Sequence, residues 1–175
     1  MRILVDIDGV LAEQVSPALD RYNAAHGANV LRSDIVTYNE PVDNTDIGAI
    51  IASVDVRDCP LIAGAREAMV QLCRRHHVMI VTARPVALME PTEAWLVHNR
   101  IPYHSWMSTK DKSDAPGDVL IDDYTGHVAA FAAKGKRAIL FGQPWNERDR
   151  VPRGAVRCCG WGDVLKQIEN WEVNP

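Results

Sequence analysis

The amino-acid sequence predicts an α/β fold: a parallel sheet with helices on both faces, and a small helical cap inserted after the first strand. Three observations predict it. Five short apolar runs are continuous and not alternating, as in strands buried on both faces. Helical periodicity fills most of the intervals between them, which is the pattern of strand–helix–strand units. Finally, about fifty residues separate the first run from the helix near Gly64, far more than such a unit needs.

The elements follow in order. Arg2–Asp6 reads as the first strand. Residues 13–60 read as the insertion: Val15, Leu19 and Tyr22 share one helical face, and Ile47, Ile50, Ile51 and Val54 form a second apolar cluster. The core, 1–12 and 61–175, resumes with a helix whose Ala65, Met69, Leu72 and Cys73 align. A strand at Val78–Thr82 leads to a helix with Trp95 and Leu96 that ends at Asn99 and Arg100. Strands at Tyr103–Trp106 and Val119–Asp122 come next. Thr125 is placed to cap a helix bearing Val128, Phe131 and Ala132, with Gly135 as its stop. Arg137–Phe141 is the fifth strand, and a last helix from about Asp163 buries Val164, Leu165, Ile168 and Trp171.

Composition narrows the function. A chain of 175 residues suits one main core, and 47% apolar residues suffice to fill it. The net charge of −4 speaks against an extended nucleic-acid surface, although a basic pocket for a single phosphate fits it. Cys59, Cys73, Cys158 and Cys159 lack metal-ligand spacing and read as reduced structural thiols. No apolar run reaches membrane-spanning length and the opening run is too short for a signal sequence, so a soluble cytoplasmic protein is expected. Trp95, Trp106, Trp145, Trp161 and Trp171 all suit a core, and the oligomeric state is not legible.

In parallel sheets, ligands bind beyond the carboxyl ends of the strands. The chemically interesting residues sit there: Asp6 and Asp8, Thr82 and Arg84, Asp122 and Asp123. The opening run Ile3-Leu4-Val5-Asp6-Ile7-Asp8-Gly9-Val10-Leu11-Ala12 ends a buried strand with two carboxylates one residue apart. Such a pair repels itself and is costly to desolvate. A magnesium ion removes the difficulty, because it prefers oxygen ligands. Gly9 permits a sharp turn and close approach of a phosphate.

This run resembles the nucleophile motif of the haloacid dehalogenase superfamily. The resemblance implies a Rossmann-like core with a cap, and a phosphatase in which Asp6 becomes phosphorylated while Asp8 exchanges protons with the leaving oxygen and with water. It also requires three later elements in order, and each is present: Val78-Met79-Ile80-Val81-Thr82, then Lys110 or Lys112, then Val119-Leu120-Ile121-Asp122-Asp123. By the same resemblance Mg2+ is held by Asp6, by the Asp8 carbonyl and by Asp123, with Asp122 in support. Thr82 and the lysine bind phosphate oxygens. Lys112 stands ten positions before Asp122, the spacing of similar families, with Lys110 the fallback.

Within the superfamily the chain is similar to the 5′(3′)-deoxyribonucleotidases. Asp111-Lys112-Ser113 with Asp118–Asp123, Thr82-Ala83-Arg84-Pro85, and Ile139-Leu140-Phe141 leading to Gln143-Pro144-Trp145-Asn146 carry that likeness. It implies a small phosphorylated substrate, a nucleoside monophosphate. The shorter cap and the Ala-Arg-Pro continuation depart from the animal members. Tyr38 is the candidate for stacking a base, whereas Tyr22 suits the core, and Arg84 suits either the substrate phosphate or a salt bridge. The alternatives are a nucleic-acid 3′-phosphatase of the polynucleotide kinase–phosphatase type, a phosphatase of another metabolite, and a catalytically silent phosphate-binding relative. A signalling receiver domain fails on motif order, because there the lysine comes last.

Overall fold

The computed structural model describes residues 1–37 and 47–174. Six strands form one sheet: β1 Arg2–Val5, β2 His77–Thr82, β3 Ser105–Ser108, β4 Val119–Asp122, β5 Arg137–Phe141 and β6 Ala155–Cys158. Their spatial order is β3-β2-β1-β4-β5-β6, and every neighbouring pair is parallel. The chain therefore winds one way from β1 to β3 and the other way from β4 to β6. The reversal opens a crevice between the ends of β1 and β4, where sheets of this kind bind ligands.

Side-chain alternation divides the interior into two apolar layers. Ile3, Val5, Val119, Ile121, Ile139 and Phe141 face one layer, shared with α3 (Ala65–Arg75), α4 (Met89–His98) and α6 (Trp161–Val173). Leu4, Leu120, Ala138 and Leu140 face the other, closed by Val128, Phe131 and Ala132 of α5 (Thr125–Ala133). Both faces of β1, β4 and β5 are thus covered, which is why their sequences read as unbroken apolar runs.

Between β1 and α3 the chain forms α1 (Val15–His26), α2 (Ile47–Ala52) and two single turns of 3-10 helix, Arg32–Asp34 and Val56–Asp58. The segment leaves and returns at adjacent points, since Glu13 N–H donates to Pro60 O and Ile62 N–H to Leu11 O, each at 2.8 Å. Val15, Leu19, Tyr22, Ile51 and Val54 are buried in the same layer as β1. Tyr22 is thus a core residue, as its helical face predicts.

Three details differ from the sequence expectation. Strand β6 was not anticipated, because Ala-Val-Arg-Cys is short and carries a charge on an edge strand. Strand β3 starts two residues later than expected, and its Trp106 is exposed instead of buried. Thr125 is the first residue of α5, not its cap: Tyr124 occupies the cap position and the Thr125 hydroxyl donates to Asp149. Tyr38, its neighbour Asn39 and the side chain of Ile47 lie outside the described residues. Among the described residues no helix is long and apolar enough to cross a membrane.

Candidate active site

The first strand delivers Asp6 into the crevice, and the chain then folds tightly back on itself. Leu11 and Ala12 N–H both donate to Ile7 O at 2.8 Å, and Gly9 N–H donates to Ala12 O at 2.9 Å. This turn forces Gly9 to a φ of +71°. A Cβ built there would lie 2.1 Å from Asp123 Oδ2, so the glycine is required twice over, by its dihedral and by the carboxylate against it.

Asp6, Asp122 and Asp123 converge, each offering an oxygen within 4.8 Å of the others. All three are buried. Lys112, 1% exposed, bridges the group: its Nζ stands 2.8 Å from Asp6 Oδ1 and 2.7 Å from Asp122 Oδ2. Lys110 is exposed in the same loop, so burial separates the two lysine candidates. Asp122 is otherwise committed to structure. Tyr124 N–H donates to its Oδ1 at 2.8 Å, and His127 Nδ1 lies 3.2 Å from Oδ2.

The electrostatics follow from this geometry. Burial pushes Asp6 up to about 7, with Asp122 and Asp8 adding repulsion that Lys112 only partly offsets. Burial and the neighbouring Asp122 and Asp6 likewise hold Asp123 well above the usual carboxylate range. Burial also opposes charge on Asp122, but Lys112 and His127 outweigh it and keep that carboxyl low. Lys112 is desolvated too, yet Asp6 and Asp122 push it above the ordinary lysine range. Fully ionised, the three buried carboxylates would outnumber the one buried ammonium beside Asp6 and Asp122 by two charges, and burial answers by holding Asp6 and Asp123 toward their protonated forms. An all-oxygen donor set with that deficit fits a hard divalent cation.

The other predicted residues flank this centre. Arg84 grips both oxygens of Asp8, with Nε at 2.8 Å from Oδ2 and Nη2 at 2.5 Å from Oδ1. This contact is the salt bridge that stood as one of the two alternatives for Arg84. Thr82 is fully buried at the end of β2, and its Oγ1 accepts Arg84 N–H at 3.1 Å. Ser108 Oγ, from β3, donates to Arg84 O at 2.6 Å.

Several residues at the site were not assigned roles from sequence. His127 was passed over because nothing local marks it; it reaches Asp122 only through the first turn of α5. The Gln143-Pro144-Trp145-Asn146 segment carried part of the family likeness, but none of its side chains was given a role at the site. It is a 3-10 turn after β5 whose side chains hold the acidic centre. Trp145 Nε1 donates to Asp123 Oδ2 at 2.8 Å, Asn146 Nδ2 donates to Asp123 O at 2.7 Å, and Gln143 Nε2 donates to Gly9 O. A cavity of about 150 Å³ adjoins these groups, lined by Thr37, Asp123, Tyr124, Trp145, Asn146 and Asp149 among others.

The parallel six-stranded sheet with its helices and switch point is a haloacid dehalogenase-like fold. Solved structures of that class share the fold. A haloacid dehalogenase-like protein of unknown function from Agrobacterium tumefaciens superposes with a TM-score of 0.68 at 14% identity, covering 98% of each chain. A haloacid dehalogenase-like hydrolase from Streptococcus pneumoniae gives 0.63 at 11% identity, over 96% of this chain and 98% of that one. A hydrolase from Bacillus subtilis, solved with magnesium bound, also gives 0.63 at 11% identity and the same coverage.

More particularly, the family described as 5′ nucleotidase, deoxy (pyrimidine), cytosolic type C matches residues 1–171, and the chain belongs to that family. A protein of Oceanobacillus iheyensis provisionally named a nucleotidase is 28% identical over 119 residues, 62% of each chain. One of Chlorobaculum tepidum, provisionally named a 5′(3′)-deoxyribonucleotidase, is 28% identical over 115 residues, 62% of this chain and 55% of its own. The chain thus spans roughly three fifths of the length of the curated relatives it matches.

Proposed function

We propose that this chain is a magnesium-dependent phosphomonoester hydrolase that works through an aspartyl-phosphate on Asp6, with a nucleoside monophosphate as substrate. The observation that carries the reading is the buried acidic centre, short of two positive charges when fully ionised, at the switch point of the sheet. Family membership and the names of the relatives from Oceanobacillus and Chlorobaculum support the nucleotide class, and the magnesium bound to the Bacillus neighbour supports the choice of metal.

Asp6, Asp123 and the Asp8 carbonyl would hold Mg2+, with Asp122 in support through its fixed hydrogen bonds. The ion would neutralise the carboxylates and the charge on the phosphoryl oxygens. In the first step an Asp6 oxygen attacks phosphorus, the ester P–O bond breaks, and Asp8 gives its proton to the leaving oxygen. In the second, water attacks the phosphorus of the aspartyl-phosphate and passes a proton to Asp8, releasing phosphate and regenerating Asp6. Lys112, already 2.8 Å from Asp6, is placed to share its charge with the transferring group. The Thr82 Oγ1 accepts a backbone N–H, which leaves its own proton for a phosphate oxygen. Arg84 holds Asp8 in place for the proton transfers. Residues 13–60 serve as a cap that selects the leaving group, with Tyr38 as the aromatic candidate in it.

A panel of deoxynucleoside and ribonucleoside monophosphates, hexose phosphates and a 3′-phosphorylated oligonucleotide tests this, with and without Mg2+. Deoxynucleoside monophosphates should be the best substrates, and Asp6→Asn should release no phosphate while remaining folded. Retained turnover in Asp6→Asn excludes the covalent route. A flat profile removes the nucleotide assignment, and preference for the oligonucleotide transfers it to nucleic-acid 3′ ends.

A further inference from the structure

The turn after β5 is built in a way that ordinary chain reversal does not require. Asn146, 2% exposed, donates from Nδ2 to Asp123 O at 2.7 Å and to Phe141 O at 2.8 Å. Its Oδ1 accepts Gln143 N–H at 3.1 Å and Arg157 Nη1 at 2.6 Å. The end of β4 is thus laced to the end of β5 through one buried amide. Trp145, 6% exposed, then adds a contact to the functional group itself, the 2.8 Å bond from its indole N–H to Asp123 Oδ2. The backbone of Asp123 is fixed by one residue of the turn and its carboxylate by the next.

The insertion reaches the same turn. Arg32 donates from Nη2 to Gln143 Oε1, pairs with Glu13 at 3.2 Å, and lays its guanidinium 5.3 Å from the centre of the Trp145 ring. Gln143 in turn donates to Gly9 O, in the loop that carries Asp6 and Asp8. A buried indole pressed between an arginine and a carboxylate has little freedom to turn, so its N–H is a fixed donor.

From this geometry we infer that Trp145 is the positioning residue for Asp123: by holding Oδ2 it fixes the orientation of the carboxylate within the acidic group that would take a divalent cation. The inference rests on the metal reading given above. It assigns to Trp145 a role in ion affinity beyond packing, and to Arg32 the part of a brace that ties the insertion to that role. Hydrogen bonds of this kind behind a metal ligand are typically worth about 10–100-fold in affinity.

Titration calorimetry with Mg2+ and with Mn2+ on the whole purified chain tests it without reference to turnover. Trp145→Phe keeps a ring and removes the donor. It should weaken both ions at least about tenfold, while Trp171→Phe, a tryptophan of α6 remote from Asp123, leaves both dissociation constants unchanged. Trp145→His restores a ring N–H and should recover part of the loss. Each variant is compared with itself in chelator and in saturating ion, so that general destabilisation cancels. Equal affinity in wild type and Trp145→Phe overturns the inference. So does an equal loss in the Phe and His variants, which would assign the effect to packing. If the wild-type chain binds neither ion, the metal reading fails and this role of Trp145 with it, whereas ion binding that Trp145→Phe leaves unchanged overturns the inference alone.

Discussion

Replacing Gly9 by alanine should damage the site more than a backbone penalty explains, and the excess can be worked from the structure. At φ +71° an L-residue costs about 1–2 kcal/mol over glycine, of which the stiffer unfolded chain returns about 0.4–1 kcal/mol. The new methyl would stand 2.1 Å from Asp123 Oδ2, 2.6 Å from its Cγ and 3.1 Å from Trp145 Cζ2. That carboxylate cannot swing aside freely, since Trp145 holds it and Asn146 holds the main-chain carbonyl of the same residue. Forced overpacking of this sort costs about 1–3 kcal/mol. The net loss is about 1–5 kcal/mol, which for a chain of this length lowers Tm by about 2–20 °C. Gly135 provides the internal reference. Its φ is +75°, but a Cβ there meets nothing within 4 Å, so Gly135→Ala bears the dihedral cost alone. Thermal unfolding of both variants in chelator, followed by Mg2+ titration, separates the terms. Gly9→Ala should be the less stable by about 1–3 kcal/mol and should bind Mg2+ more weakly, with Gly135→Ala binding as wild type. Equal stability and equal ion affinity in the two variants would refute the argument that Asp123 is fixed against this turn.

Two further outcomes follow from the ion pairs. Lys112→Ala leaves Asp6 and Asp122 buried without their shared cation, so metal-free stability should fall by about 3–5 kcal/mol and phosphate release should collapse. Lys110→Ala, on an exposed side chain, should stay within about 0.5 kcal/mol of wild type with normal turnover; the reverse pattern would move the motif lysine to Lys110. Arg84→Ala should lower kcat about 10–100-fold by releasing Asp8, and Arg84→Lys should not restore it, because an ammonium cannot hold both oxygens. Steady-state kinetics with unchanged kcat in Arg84→Ala would show that Asp8 needs no such support.

The sequence exposed the architecture to different degrees, for physical reasons that can be named. Strands β1, β4 and β5 are covered on both faces, so burial wrote unbroken apolar runs into them. The edge strands carry a weaker signature. Strand β6 pairs only with β5 and tolerates Arg157, and β3 pairs only with β2 and leaves Trp106 exposed, so one was missed and the other displaced. The acidic residues were legible because carboxylates at the ends of apolar strands contradict their surroundings. Their partners were not. Trp145 meets Asp123 across 22 positions of sequence, and Arg32 meets Gln143 across 111; neither pairing leaves a periodic trace. Lys112 was preferred to Lys110 for its spacing to Asp122, a family likeness; the burial that distinguishes the two side chains is not written in the local sequence.

The placement of charge also explains why the centre is held from so many directions. Desolvated carboxylates this close would ordinarily shed charge by taking up protons, and Asp6 and Asp123 lean that way in the absence of an ion. On the proposed reading, a cluster kept available to a cation cannot relax by moving its side chains apart instead. The fold blocks that escape with short, specific contacts: Lys112 on Asp6 and Asp122, Tyr124 N–H on Asp122, Trp145 and Asn146 on Asp123, and Gln143 on the Gly9 carbonyl. The restraints come from three places, so repulsion between the acids is borne by the loop before β4, by the start of α5 and by the turn after β5 together. The stability given up in assembling these charges is what a divalent ion would return on binding, and this makes ion-dependent stability the most direct physical signature of the site.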